Sequence, residues 1–205
     1  MKDIGKLFDE YGSDKNENHG YGKYYDKHLP LTVDKFLEIG VWKGSGIKSF
    51  KEYYDNKGEF HAMDWRFGGE VISVEELHEL KIIPHEGSQS DIPFLNTITD
   101  LFSVCVEDGS HHSDEQVITF KHIFINNIKS GGLYVLEDTH CCFEEYWWRG
   151  IITKFEDTAL AIFKSYINGG TLESQFITKE ESELLISLID EVNIYNDAII
   201  FIKKK

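Results

Sequence analysis

Two short acidic runs carry the chemistry available to this chain. Glu107-Asp108-Gly109-Ser110-His111-His112 closes the apolar run Val104-Cys105-Val106, and Glu137-Asp138-Thr139-His140 closes Leu133-Tyr134-Val135-Leu136. Each reads as a buried β-strand that delivers carboxylates and a histidine to its C-terminal end, where open α/β sheets bind ligands. Adjacent strands lie about 5 Å apart, so Asp108, Glu137 and Asp138 can converge on one ion. Oxygen-only ligation suits Mg2+ with positions left for substrate. Without an ion, three carboxylates so close would raise one another's pKa. His111, three residues past Asp108 at the turn into a helix, is placed to act as general base on a hydroxyl. His112 is the weaker candidate, and His140 either supports the ion or sits at the rim.

A second constellation lies upstream. Glu38-Ile39-Gly40-Val41-Trp42-Lys43-Gly44-Ser45-Gly46 runs from a strand through a glycine turn into a helix. Glycine admits close approach of a ligand, and a helix N-terminus favours an anionic group. The spacing is neither a Walker loop nor G-x-G-x-x-G. Glu38 would repel a diphosphate, so a cofactor carrying an ammonium or sulfonium fits better than a dinucleotide. The alternative is a tight turn with no ligand. Asp64, 20 residues beyond Gly44, ends the next strand and can accept hydrogen bonds from ribose hydroxyls. Ser88-Gln89-Ser90-Asp91 offers small polar groups to an adenine edge, or a polar turn capping the next helix.

These residues need a frame. Strands are expected at 36–41, 60–64, 81–85, 101–106 and 133–136, alternating with helices at 44–56, 71–80, a short one after Asp91, and one from 113. Ser113-Asp114-Glu115-Gln116 has the capping-box pattern, and Gly131-Gly132 reads as the end of that helix. Residues 143–167 hold at least one helix and 179–189 another. The segments 192–195 and 198–202 read as a hairpin turned at Asn196-Asp197. Upstream, 2–11 reads as an amphipathic helix. The polar, glycine-rich stretch 12–22 is a surface loop or a functional lid, and its composition favours the loop. The expectation is an α/β fold: a doubly wound, mostly parallel sheet with an antiparallel closing strand. It forms a single domain over 1–205, with a helical cap at 1–30 and the core at 31–205.

Composition narrows the function. Length and a 41% apolar content suit one domain with a proper core. With 36 acidic and 21 basic residues, the net charge of -15 argues against a nucleic-acid partner, which calls for a basic stripe. It is compatible with a cation-collecting site or with solubility alone. Cys105, Cys141 and Cys142 make no even disulfide set and no C-x-x-C, which points to a reducing compartment. Residues 1–12 are charged rather than signal-like, and no apolar run approaches the ~20 residues that span a bilayer. The expectation is a soluble, cytoplasmic protein without a membrane partner.

In order along the chain stand Leu37-Glu38-Ile39-Gly40-Val41 with Gly44, Asp64, Gly87-Ser88-Gln89-Ser90-Asp91, Asp108-Gly109-Ser110-His111 and Leu136-Glu137-Asp138-Thr139-His140. That series resembles the class I S-adenosyl-L-methionine-dependent methyltransferases of the macrolide-sugar and rhamnosyl O-methyltransferase type. Ser13-Asp14-Lys15, His19-Gly20-Tyr21 and Tyr24 resemble the family's segment before the sheet, and Tyr195 with 198–203 its ending. The resemblance covers nearly the whole chain. The Asp-Gly-Ser-His and Glu-Asp-x-His motifs are its specific part.

The resemblance implies a Rossmann-like, seven-stranded methyltransferase sheet whose last strand is antiparallel. It implies that Glu38, Gly40 and Gly44 line the methionine part of the cofactor, and that Asp64 binds its ribose. Ser88 and Gln89 would lie near adenine, and Tyr21 would close over the cofactor. Asp108, also at the cofactor, would hold Mg2+ with Glu137 and Asp138, and His111 would be the base. A homo-oligomer is implied by the same analogy. The chain departs from the pattern at Gly87-Ser88-Gln89, where Gly-Asp-Gln is frequent, and after Asp138, where a glycine-rich run is often seen.

The expected reaction is Mg2+-assisted methyl transfer to a hydroxyl of a sugar, sugar nucleotide or glycoside. Trp42, Tyr146, Trp147 and Trp148 offer platforms for a sugar face, an aromatic catechol or a second protomer. A catechol-type acceptor would use the same metal logic. A metal-dependent hydrolase or hydroxylase would leave Glu38, Gly40 and Asp64 without a role, and a non-catalytic nucleotide-binding module would not need the acidic cluster.

Overall fold

Period-2 alternation along the strands sends successive side chains to opposite faces, and helices cover both. The computed structural model describes residues 2–149, 152 and 154–205, with backbone alone at 147–149. The strands are β1 (Lys35–Ile39), β2 (Glu59–Asp64), β3 (Ile82–Glu86), β4 (Phe102–Glu107), β5 (Ile128–Leu136), β6 (Ile189–Ile194) and β7 (Ile199–Lys203). They form one sheet in the order β3-β2-β1-β4-β5-β7-β6. The first five are parallel, and β7 runs antiparallel to β5 and β6. This is the doubly wound, seven-stranded sheet with an antiparallel closing strand that the motif series implied.

One face packs Phe36, Val104 and Val135 against α1 (Ile4–Tyr11), α3 (Gly22–His28), α4 (Ser45–Tyr53) and α5 (Val74–Glu79); the four-residue α2 (Asp14–Glu17) lies between α1 and α3. The other face packs Leu37, Cys105 and Tyr134 against α6 (Ile92–Leu95), α7 (Ser113–Asn126), α8 (Ala159–Ile167) and α9 (Lys179–Leu188). Glu38 takes a core position on the first face, where alternation calls for an apolar residue. The register pairs Ile39 with Glu107 and Glu107 with Leu136. The chain therefore leaves β1, β4 and β5 at one level, and the two acidic runs start side by side.

Three local expectations change. Gly131 and Gly132 lie inside β5 rather than ending a helix. The helix stops earlier, where the Asn127 side chain donates to the carbonyls of Ile98 and Asp100, and the glycines follow at an irregularity in the β4–β5 register. Ser113 does not close a capping box. His112 holds the N-cap position without a side-chain bond, and the Ser113 hydroxyl accepts from the Ala159 amide at 2.7 Å. Capping boxes form instead at Ser73–Glu76 and Thr178–Glu181, opening α5 and α9. The stretch 12–22 is no plain surface loop, because it holds α2 and buries Lys15. Among the described residues no helix is long and apolar enough to cross a membrane.

Candidate active site

A cavity of about 670 Å³ opens at the C-terminal edge of the parallel strands. Of the residues singled out from sequence, Tyr21, Gly40, Asp64, Ser88, Gln89, Asp108, His111, Glu137 and Asp138 line it. Glu38 and Gly44 are buried behind its wall. Trp42 and Trp65 stand exposed at its mouth. The side chains of Trp147 and Trp148 lie outside the described residues.

Asp108, His111 and Asp138 converge. His111 Nε2 is 3.5 Å from Asp138 Oδ2 and 4.0 Å from Asp108 Oδ1, and one ligand atom from each of the three lies within 4.8 Å of the others. His111 (φ 58°) and Asp138 (φ 55°) both adopt the left-handed conformation. Such strain, about 1–3 kcal/mol each, persists only where the surroundings impose it and clusters at functional sites. His111 Nδ1 is buried without a hydrogen-bond partner among the described residues. Two carboxylates at a cavity wall fit a small divalent ion with open positions, and the imidazole beside them is placed as a base next to it.

Glu137 faces elsewhere. Its Oε1 accepts from the Tyr25 hydroxyl at 2.5 Å and its Oε2 from Lys15. The Lys15 ammonium also meets Asp108 Oδ2 at 2.5 Å and Glu38 Oε1 at 3.4 Å. Burial opposes the charge on Lys15, yet Asp108, Glu137 and Glu38 together hold it protonated well above the usual lysine range. Burial pushes the Glu38 carboxyl up to about 7 against the pull of Lys15. The cation that meets Glu38 within the protein is thus a lysine of this chain, where the glycine-turn reading looked to a cofactor.

The remaining carboxylates shape loops. Burial pushes Glu107 up to about 8, although the Gln89 amide and the Gly109 N–H oppose it. Its Oε1 accepts from Gln89 Nε2 at 2.8 Å and Gly109 N at 3.2 Å. Gln89 Oε1 in turn accepts from Ser110 N at 2.8 Å. The Gln89 side chain therefore braces the turn that presents Asp108 and His111, while Ser88 pairs with Ser90 nearer solvent. Asp64 Oδ2 accepts from Val41 N at 3.1 Å and Trp42 N at 3.4 Å. Burial raises its carboxyl, and these amides oppose the rise. Gly40 (φ 80°) brings the β1 and β4 loops into backbone contact, since a Cβ there would lie 2.0 Å from the Asp108 carbonyl oxygen.

The stretch 12–22 forms one wall. The Tyr21 hydroxyl is 2.7 Å from Asp138 Oδ1 and accepts from Asp138 N at 3.1 Å. His19 Nδ1 bonds Asp197 Oδ2 at 2.9 Å. Asp197 Oδ1 accepts from His140 N at 2.8 Å and faces His140 Nδ1 at 2.8 Å. Burial works against ionised Asp197, but His19 and the His140 amide hold its carboxyl below the usual range. Reasoning from the residues alone missed Lys15, Tyr25, Glu107 and Asp197 as site residues. For Glu107 the signal is an acid closing an apolar strand, and for Lys15 it is the Ser-Asp-Lys motif quoted for the family resemblance.

No family model matches the chain. It is 27% identical over 159 residues to mycinamicin VI 2''-O-methyltransferase of Micromonospora griseorubida, covering 71% of this chain and 37% of that protein. It is 28% identical over 153 residues to 8-demethyl-8-(2-methoxy-alpha-L-rhamnosyl)-tetracenomycin-C 3'-O-methyltransferase of Streptomyces olivaceus, covering 66% and 36%. The chain thus spans little more than a third of the length of these curated relatives. Among solved structures it superposes on the MycE methyltransferase of the mycinamycin biosynthetic pathway, in complex with Mg, SAH and mycinamycin VI. The TM-score is 0.80 at 23% identity, over 100% of this chain and 55% of that one.

Proposed function

We propose that this chain is an S-adenosyl-L-methionine-dependent, Mg2+-assisted O-methyltransferase acting on a hydroxyl of a sugar, sugar nucleotide or glycoside. One observation carries the reading: Asp108, His111 and Asp138 meet at the wall of the cavity that Gly40 and Asp64 also line. The two O-methyltransferases that the chain is similar to by sequence support it. So does the fold shared with a methyltransferase holding Mg and SAH.

Cofactor and ion, when bound, supply an electrophilic sulfonium methyl and a Lewis acid that makes an alcohol more acidic. Asp108 and Asp138 would hold the ion, with Glu137 behind them. His111 Nε2 takes the hydroxyl proton, and the two carboxylates face the imidazolium so formed. Asp64, fixed by the Val41 and Trp42 amides, presents its carboxylate to a ribose. Tyr21 seals the cavity wall beside Asp138. Trp42 and Trp65 offer apolar faces to a sugar ring at the mouth. The main contribution of the protein is alignment of the acceptor oxygen with methyl and sulfur.

The reading extends to one methyltransferase domain over 1–205. It extends also to a reducing, cytoplasmic setting, on the odd number of cysteines, and to a homo-oligomer on the family resemblance. Calorimetry with S-adenosylmethionine and with MgCl2 tests the core of it. Binding of both supports the methyltransferase. Metal binding alone favours a hydrolase, and cofactor binding without metal favours a nucleotide-binding module. Mass spectrometry of glycosides and sugar nucleotides incubated with labelled cofactor then finds the acceptor by its gain of one CH2.

A further inference from the structure

We infer that Lys15 is a resident counter-ion for the carboxylates of this site and a positioning residue for Asp108, so that the ammonium and a bound divalent ion take opposite oxygens of that carboxylate. The ion half of this statement rests on the function proposed above.

Lys15 is 3% exposed. Buried lysines are rare and require pairing. Here the ammonium reaches acids from three strands: Glu38 of β1, Asp108 after β4 and Glu137 after β5. It takes Asp108 Oδ2, while Oδ1 faces His111. The chain keeps space for this arrangement. A Cβ at Gly46 would lie 2.8 Å from Lys15 Cε and 2.3 Å from Glu38 Oε1. Lys15 is delivered by α2, whose N-cap Ser13 accepts from the Lys15 amide. Without the ammonium, Glu38, Asp108 and Glu137 would repel one another. With it, they hold their places before any ligand arrives, and the local field is less attractive to a dication.

The test titrates MgCl2 alone into chelator-treated protein by calorimetry and unfolds the same proteins in urea with chelator present. The variants are Lys15→Met, Glu137→Gln and the double substitution. Lys15→Met should bind Mg2+ about tenfold more tightly than wild type, unfold at lower urea in chelator, and recover when Mg2+ is added. Lys15→Met should also cost less stability in the Glu137→Gln background than in wild type, because one charge of each sign has gone. Where wild type binds Mg2+, unchanged or weaker binding by Lys15→Met overturns the counter-ion role, as does an equal cost in both backgrounds. Should Lys15→Met not fold at all, a folded double variant supports the charge role and an unfolded one defeats it. If wild type and Lys15→Met both bind no Mg2+, the ion site falls, and the unfolding comparison still decides what Lys15 does for the carboxylates.

Discussion

His111 and Asp138 are non-glycine residues in left-handed backbone, facing each other across 3.5 Å. Their strain is held by the fixed loops around them, Gln89 bracing one and Tyr21 the other. Removing the imidazole by His111→Ala leaves those braces in place. Turnover should drop roughly 10²–10⁴-fold, the usual contribution of a general base, with calorimetric affinity for S-adenosylhomocysteine retained. A variant that still turns over at the wild-type rate rules out His111 as the base. Gly40→Ala is expected to act through the fold. Its Cβ would collide with the Asp108 carbonyl, and the left-handed backbone adds its own penalty. The loss should be about 2–4 kcal/mol in urea unfolding. Single residues also mark where sequence reasoning stops. Spacing brought out Asp108, His111 and Asp138 because each follows within a few residues of a strand end. It could not tell that the Gln89 amide would be engaged by the protein, since that depends on Glu107 lying opposite it in space.

Two elements that look peripheral in sequence meet at the site. The β6–β7 hairpin is legible from its turn residues, but the reach of Asp197 is not. Its two oxygens join the hairpin to His19 upstream and to His140 after β5. The stretch 12–22 reads as a loop because it is polar and glycine-rich, and its polar side chains turn inward to bond acids. Asp197→Ala should loosen this junction by about 1–3 kcal/mol, the range for half-buried charged hydrogen bonds. Limited proteolysis should then cut within 12–22 faster than in wild type, while cleavage elsewhere is unchanged. Equal cleavage of both proteins would mean that Asp197 does not fasten the segment. Helix ends were the least legible elements. Gly131-Gly132 has helix-stop chemistry, yet Asn127 ends the helix first through carbonyls 27 and 29 residues away.

At the scale of the whole molecule, one pH-sensitive pair lies between β2 and β3. His61 Nδ1 and His85 Nε2 lie 2.8 Å apart with their rings stacked. Burial, and then the neighbouring His61, lower the His85 pKa below 6.5, while Asp100 opposes the fall. A base lowered on folding contributes stability that is complete above the unfolded pKa and is lost as pH falls through the folded one. The stability that His85 contributes should therefore be lost on acidification below about pH 6.5, and His85→Gln should remove that component from the pH dependence of the urea midpoint. The raised carboxyls of Glu38 and Glu107, at about 7 and about 8, and the raised pKa of His19 work in the opposite sense, so the comparison of variant with wild type isolates His85. An unchanged pH dependence in His85→Gln would remove His85 from the acid response.

Sequence alone determined the α/β architecture, the antiparallel closing hairpin and the convergence of acids at one sheet edge. Those follow from local periodicity, and from the rule that parallel strands end on a common side. Tertiary structure alone decided which oxygen of each acid faces which partner. Lys15 lies 93 residues from Asp108 and 122 from Glu137 along the chain. No pattern of spacing encodes an ammonium that arrives from a different element. The split of the carboxylates between Lys15 and the cavity is set by packing, because only packing places α2 over the ends of three strands.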